Sequence, residues 1–130
     1  MPAANSSSSS ESNDEVIVAE PCMFKMPYIE GDGSSWGIYL DSGSLYEAML
    51  EKGLGMYNIY INENVVDAPE EMITNKASGR GLCCIDTFRT EENGNKYFYG
   101  WVIVFDKKGN AYYNYSTYTG FIGWKKMGGV

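Results

Sequence analysis

Apolar and polar positions in this chain change period at residue 53. Before it, Leu45, Ala48 and Met49 recur at helical spacing, Ser44 stands as an N-cap with Glu47 three residues on, and Gly53 closes the run. This predicts a two-turn helix over 45–52, too short to persist without a sheet to lean on. After it the period is two. In 55–62, Tyr57, Ile59 and Ile61 share one face and Asn58, Tyr60 and Asn62 the other, the signature of a half-buried strand. A polar stretch over 63–79, marked by Pro69, Glu70 and Glu71, reads as a long loop, and 82–88 as a second strand.

The strongest strand is 96–105. Tyr97, Tyr99, Trp101, Ile103 and Phe105 form one face, and Phe98, Val102 and Val104 the other. Both faces are apolar, which predicts a central strand or one covered by a neighbouring subunit. Trp101 is its expected core residue. Asn93-Gly94 before this strand and Asp106-Lys107-Lys108-Gly109-Asn110 after it are hairpin signals. Further strands follow over 111–115 and 121–126. The expected fold is mainly β, an antiparallel sheet of about five strands with one short helix, behind a flexible N-terminal arm.

That arm is read from composition. Residues 1–20 begin with a polar, acidic stretch built around Ser6 to Ser10, which has little apolar surface to offset the entropy of ordering. Residues 21–43 are more apolar but are interrupted by Pro21 and Pro27, which favours an extended docking segment over a central strand. Residues 44–130 are then the folded unit.

Composition narrows function. The net charge is -7, with ten basic residues and no basic block, so the long-range field repels phosphate backbones and anionic lipid: neither nucleic acid nor membrane is an expected partner. No basic, apolar leader is visible, and synthesis in a cytoplasm is expected. Cys22, Cys83 and Cys84 are an odd set that reads as free thiols, and Cys83 and Cys84, adjacent on a strand, should face opposite ways. The chain has no histidine, which removes Ser-His-Asp and Cys-His machinery and His-based zinc motifs. The carboxylates Asp86, Glu91, Glu92 and Asp106 fall in strands or turns without a spacing that defines a catalytic pair, and 106–110 lacks the alternating acids of a calcium loop. The expectation is a protein that is not an enzyme and uses neither cofactor nor metal. Fifteen per cent of the residues are aromatic, eleven of them Tyr, a composition suited to recognition at a wet boundary.

An ordered set of pieces carries a resemblance: Ser44-Leu45-Tyr46-Glu47-Ala48-Met49, Gly55-Met56-Tyr57-Asn58-Ile59, Ala68-Pro69, Arg80-Gly81-Leu82, Asp106-Lys107-Lys108-Gly109-Asn110-Ala111-Tyr112 and Gly123-Trp124-Lys125-Lys126. Over about 44–127 this resembles the knob domains of phage tail and head fibres, including the pyocin-knob domains. Phe121 stands where many such domains carry a first closing Trp, and no heptad or Gly-x-y shaft precedes the unit.

The resemblance implies a bacteriophage virion structural protein, a small fibre, tail accessory or head decoration component, located in the virion after synthesis in the bacterial cytoplasm. Its expected partners are other virion proteins, further copies of itself as a homotrimer, and a bacterial surface glycan. Pro21, Met23, Phe24, Met26 and Tyr28 are the expected virion-attachment residues, lying in the apolar segment outside the knob. Tyr112, Tyr113, Tyr115, Tyr118 and Trp124 are the expected glycan-binding set, with the 63–79 loop facing outward beside them. The competing reading is a free-standing carbohydrate-binding module, which has no use for the Ser-rich leader and Pro-broken segment.

Overall fold

The computed structural model describes residues 37–128. Pro21, Met23, Phe24, Met26 and Tyr28, the residues expected to make the virion attachment, lie with Cys22 and the expected arm outside the described residues. The described chain is mainly β. Nine elements follow one another: β1 (Gly37–Tyr39), α1 (Leu45–Lys52), β2 (Gly55–Ile61), α2 (Glu70–Thr74), β3 (Gly79–Thr90), β4 (Lys96–Asp106), β5 (Ala111–Thr117), β6 (Gly120–Phe121) and β7 (Lys125–Lys126). The strands form one seven-stranded sheet in the order β1-β2-β3-β4-β5-β6, with β7 also paired to β5. Every pairing is antiparallel except β1 with β2, which is parallel and is bridged by α1.

The helix bounds follow their caps. Ser44 Oγ accepts from the Glu47 N–H at 3.1 Å, and the Gly53 N–H donates to the Met49 carbonyl with φ +81°, a conformation that suits glycine. The Tyr57 hydroxyl lies within hydrogen-bond reach of the Lys52, Gly53 and Leu54 carbonyls, at 3.2, 3.1 and 2.8 Å, and so closes the C-terminal end. Both hairpin turns place a glycine in the left-handed region, Gly94 at φ +91° and Gly109 at +92°.

Three features differ from the sequence reading. The 63–79 stretch is not wholly a loop, because Glu70–Thr74 forms α2, started by Pro69 at φ -55°. The closing strand over 121–126 is two short strands, β6 and β7, since Gly123 at φ +117° breaks the extended run between them. The sheet also gains β1, from a stretch read as an attachment segment.

Both helices lie on one face of the sheet. Leu45 and Met49 of α1 and Met72 of α2 are fully buried with Ile59, Ile61, Cys83, Ile85, Phe98, Val102, Val104 and Tyr112 of the strands. Tyr46 stacks on Phe98 at a centroid distance of 5.0 Å. A β-bulge between Ile85 and Thr87 adjusts this inner face: Ile85 pairs with Gly100 and Phe88 with Phe98, so both point inward although they are three apart. Strict alternation would have sent Phe88 outward.

The face opposite the helices corrects the reading of Trp101. Inner positions on β4 are the even ones, and Trp101 belongs to the outer set with Tyr97, Tyr99, Ile103 and Phe105. It is half-buried among neighbouring strands and is not a core residue. The core takes the smaller face of β4, because Phe98, Gly100, Val102 and Val104 leave room for the helices whereas a row of large rings does not.

Candidate functional site

Two surfaces are candidate sites, one on each side of the sheet.

The first is the outer face itself. Register aligns its side chains into rows across the strands: Tyr39, Tyr60, Arg80 and Phe105 in one; Asn58, Leu82, Ile103, Tyr113 and Lys125 in the next; Met56, Cys84, Trp101 and Tyr115 in a third. Tyr39 and Tyr60 stack at 4.5 Å, the Arg80 guanidinium sits 5.0 Å from the Tyr60 ring centroid, and Tyr97 meets Tyr99 edge-on at 6.0 Å. Phe105 is 59% exposed, Tyr113 41% and Tyr115 42%. None of the described helices covers these rows; Met56, Cys84, Trp101 and Tyr115 run without a charged or amide side chain between them, while Asn58, Arg80 and Lys125 stand among the aromatic and aliphatic side chains of the other two.

The second is a cleft of about 440 Å³ on the helix side, lined by Asp67, Ala68, Glu70, Asn114, Phe121, Ile122, Gly123 and Trp124. Asp67 holds one wall in place. Its carboxylate accepts from the Leu45 N–H at 2.7 Å, the Tyr46 N–H at 2.9 Å and the Ser44 hydroxyl at 3.0 Å, so it caps α1 from a distant loop. Its carbonyl oxygen accepts from Trp124 Nε1–H at 2.7 Å, which fixes the second wall to the first. Lys126 adds an exposed ion pair to Glu71 at 3.0 Å, a contact of small energetic weight. Asn114 forms part of the lining and is 1% exposed; its Oδ1 accepts from the Tyr115 N–H at 2.8 Å and the Gly123 N–H at 3.0 Å.

The sequence-predicted ligand set is divided by this geometry. Tyr113 and Tyr115 are exposed on the outer face, and Tyr118 is 67% exposed at the turn into β6. Trp124 lies across the sheet from them, in the cleft. Tyr112 must be removed from the set: it is 3% exposed on the inner face, and its hydroxyl donates to Asp106 Oδ2 at 3.2 Å. Adjacent strand residues point to opposite sides, so Tyr112 and Tyr113 cannot serve one site.

Electrostatics reinforce that assignment. Burial raises the Asp106 pKa, but the Asn110 and Lys108 N–H groups, the Asn110 amide and the Tyr112 hydroxyl outweigh it and hold the carboxyl below its ordinary value. Tyr112 is pushed up to about 12 by burial, with the Asp106 charge and hydrogen bond acting in the same direction. Burial likewise pushes the Cys83 thiol up to about 12, while Cys84, on the outer face beside Trp101, is raised by burial and by Asp86. Cys83 and Cys84 are free and face opposite ways, as their adjacency predicts.

Sequence reasoning missed Asp67, Glu70 and Asn114. For Asn114 the sequence offered only alternation over 111–115, which sets it on one face with Tyr112 without saying that this face is buried. For Asp67 it offered nothing, since its partners are 21 to 57 residues away.

Among the described residues, no group of three or more Cys, Asp or Glu side chains is arranged to hold a metal ion, and no helix is long and apolar enough to cross a membrane. Compared with protein-family models, curated proteins and solved structures, the chain matches none.

Proposed function

We propose that this chain is a bacteriophage virion structural protein whose folded unit is a non-enzymatic, knob-like module that assembles through the outer face of its sheet. The observation that carries the reading is the continuity of that face: Met56, Cys84, Trp101 and Tyr115 stand in one row beside Leu82, Ile103 and Tyr113 in the next, with both helices on the other side. Exposed and half-buried aromatic and aliphatic side chains set side by side on an uncovered sheet face suit an interface. Further copies of the chain are its occupants, as a homotrimer, and the N-terminal segment with Pro21, Met23, Phe24, Met26 and Tyr28 attaches the assembly to other virion proteins. The ordered pieces from Ser44 to Lys126 that resemble fibre knobs supply the virion context.

Because Tyr113 and Tyr115 share the face of Ile103 and Trp101, a subunit interface over β4 takes them as well. The outward ligand surface is then elsewhere on the domain.

The test is the full chain with Trp101→Glu and Tyr115→Glu together. Light scattering should show the parent as a trimer and the variant as a monomer with a cooperative thermal melt. Mass spectrometry of purified virions should find the parent chain, and removal of residues 1–36, which leaves β1 intact, should abolish its incorporation. A parent that is monomeric at micromolar concentration removes the assembly reading. Absence from virions removes the structural role and favours the free-standing carbohydrate-binding module.

A further inference from the structure

The cleft between 67–70 and 121–124 is lined by a side chain whose amide the fold leaves half-partnered. Asn114 is 1% exposed, and its Oδ1 is committed to two backbone N–H donors, Tyr115 and Gly123. Both donors require an acceptor, so the amide orientation is fixed and Nδ2 is the remaining end. Among the described residues Nδ2 makes no hydrogen bond. A buried amide N–H left unpaired is destabilising, and a ligand supplying an acceptor recovers that loss.

The rest of the lining defines that ligand. Glu70 is exposed at the rim and offers an acceptor, while the carboxylate of Asp67 is already used by Ser44, Leu45 and Tyr46. The lining contains no Lys or Arg, and the chain carries a net charge of -7, which disfavours an anion. A cation would face the Asn114 donor with only Glu70 free among the lining carboxylates. A purely apolar molecule would leave Nδ2 unpaired. The Trp124 N–H is spent on the Asp67 carbonyl, so its ring carbons, with Phe121 and the 54%-exposed Ile122, provide an apolar platform. One donor, one acceptor and a flat apolar wall fit a molecule with an edge of hydroxyls and a face of C–H groups. At about 440 Å³ the cleft is within the roughly 300–1,000 Å³ usual for small-molecule sites.

We infer that this cleft binds a neutral pyranose, with one sugar hydroxyl accepting from Asn114 Nδ2, another donating to Glu70, and the C–H face of the ring on Trp124 and Ile122. The inference rests on the reading of the domain as a surface-recognition knob and moves its ligand site from the Tyr113 and Tyr115 strand to the opposite side of the sheet.

The experiment is a nitrogen-15 NMR titration of the full chain with glucose, galactose and N-acetylglucosamine, each to about 50 mM, enough to detect millimolar affinity. At least one sugar should shift the Trp124 indole N–H and the Asn114 side-chain amide. Glu70→Ala, a rim change that does not touch the core, should weaken binding about tenfold. Asn114→Asp keeps the acceptor for Tyr115 and Gly123 but loses the donor, and should weaken it at least as much. Trp101→Glu with Tyr115→Glu should leave it unchanged. No response to any of the three sugars, shifts confined to Tyr113 and Tyr115, or full binding by Glu70→Ala would each overturn the inference. Trimer formation by the Glu70→Ala protein is read separately, so loss of the sugar site and loss of the assembly reading are distinguishable.

Discussion

Trp124 Nε1–H donates to the carbonyl oxygen of Asp67 across 57 residues of sequence, at 2.7 Å. The carboxylate of the same Asp67 caps the first turn of α1, so one residue ties the helix, the loop before α2 and the closing segment into a unit. Replacing Trp124 by Phe keeps a ring and deletes the donor. The expected loss is about 1–3 kcal/mol, since the Asp67 carbonyl is left without its partner. Asp67→Ala should cost a similar amount by uncapping two backbone N–H groups. Chemical denaturation checks both, and because Asp67→Ala keeps the backbone carbonyl that accepts from Trp124, the losses in the double variant should be close to additive. Strong coupling would mean that the Asp67 carbonyl moves away from Trp124 when its carboxylate is removed, and that the carboxylate and the carbonyl act as one tie.

Stability should fall at both ends of the pH scale. The folded Asp106 carboxyl titrates below its ordinary value, so its contribution is complete above the ordinary carboxylate range and is lost as pH falls through the folded value. Tyr112 behaves in the opposite sense: its folded value is about 12 against an ordinary 10.0, so the unfolded chain ionises first and stability declines as pH rises from 10 towards 12. Cys83, raised from 9.0 to about 12, adds to the alkaline loss from lower pH. Thermal melts across pH should show Tyr112→Phe with a smaller alkaline decline and Cys83→Ala with a later onset. An unchanged alkaline limb in both variants would contradict the assignment.

Gly81 and Gly100 should not tolerate a methyl group. An added Cβ at Gly81 would collide with the carbonyl oxygen of Ile103, and one at Gly100 with that of Cys84, both rigid backbone atoms of a paired strand. Gly81→Ala and Gly100→Ala should each destabilise by several kcal/mol or fail to yield folded protein, whereas Gly94→Ala, strained in a turn but with open space around it, should cost only about 1 kcal/mol. Urea midpoints of the three variants provide the ranking.

Thiol labelling can report the outer face. In a Cys22→Ser background only Cys84 should react with a thiol reagent under native conditions, because Cys83 is buried with its thiol raised to about 12. Cys84 neighbours Trp101 in register, so its labelling should slow as protein concentration rises and the face is covered. A concentration-independent rate would argue against self-association through that face.

Local chemistry was legible in the sequence. The caps at Ser44 and Gly53, the turn glycines Gly94 and Gly109 and the period-two strands act over a few residues, and backbone geometry makes them readable without knowing what lies across the fold. What alternation could not say was which of two apolar faces on β4 is inside. The tertiary structure decided this by placing Leu45, Met49 and Met72 against Phe98, Val102 and Val104, which left Trp101 outward and, in β5, carried Tyr112 and Asn114 inward. The bulge between Ile85 and Thr87 is equally a property of two strands and their register, so Phe88 could not be assigned from its own strand. The cleft depends on the longest reach: Glu70, Asn114 and Trp124 become neighbours only because Asp67 joins segments that sequence leaves far apart, and a pattern read along one segment holds no information about such a contact.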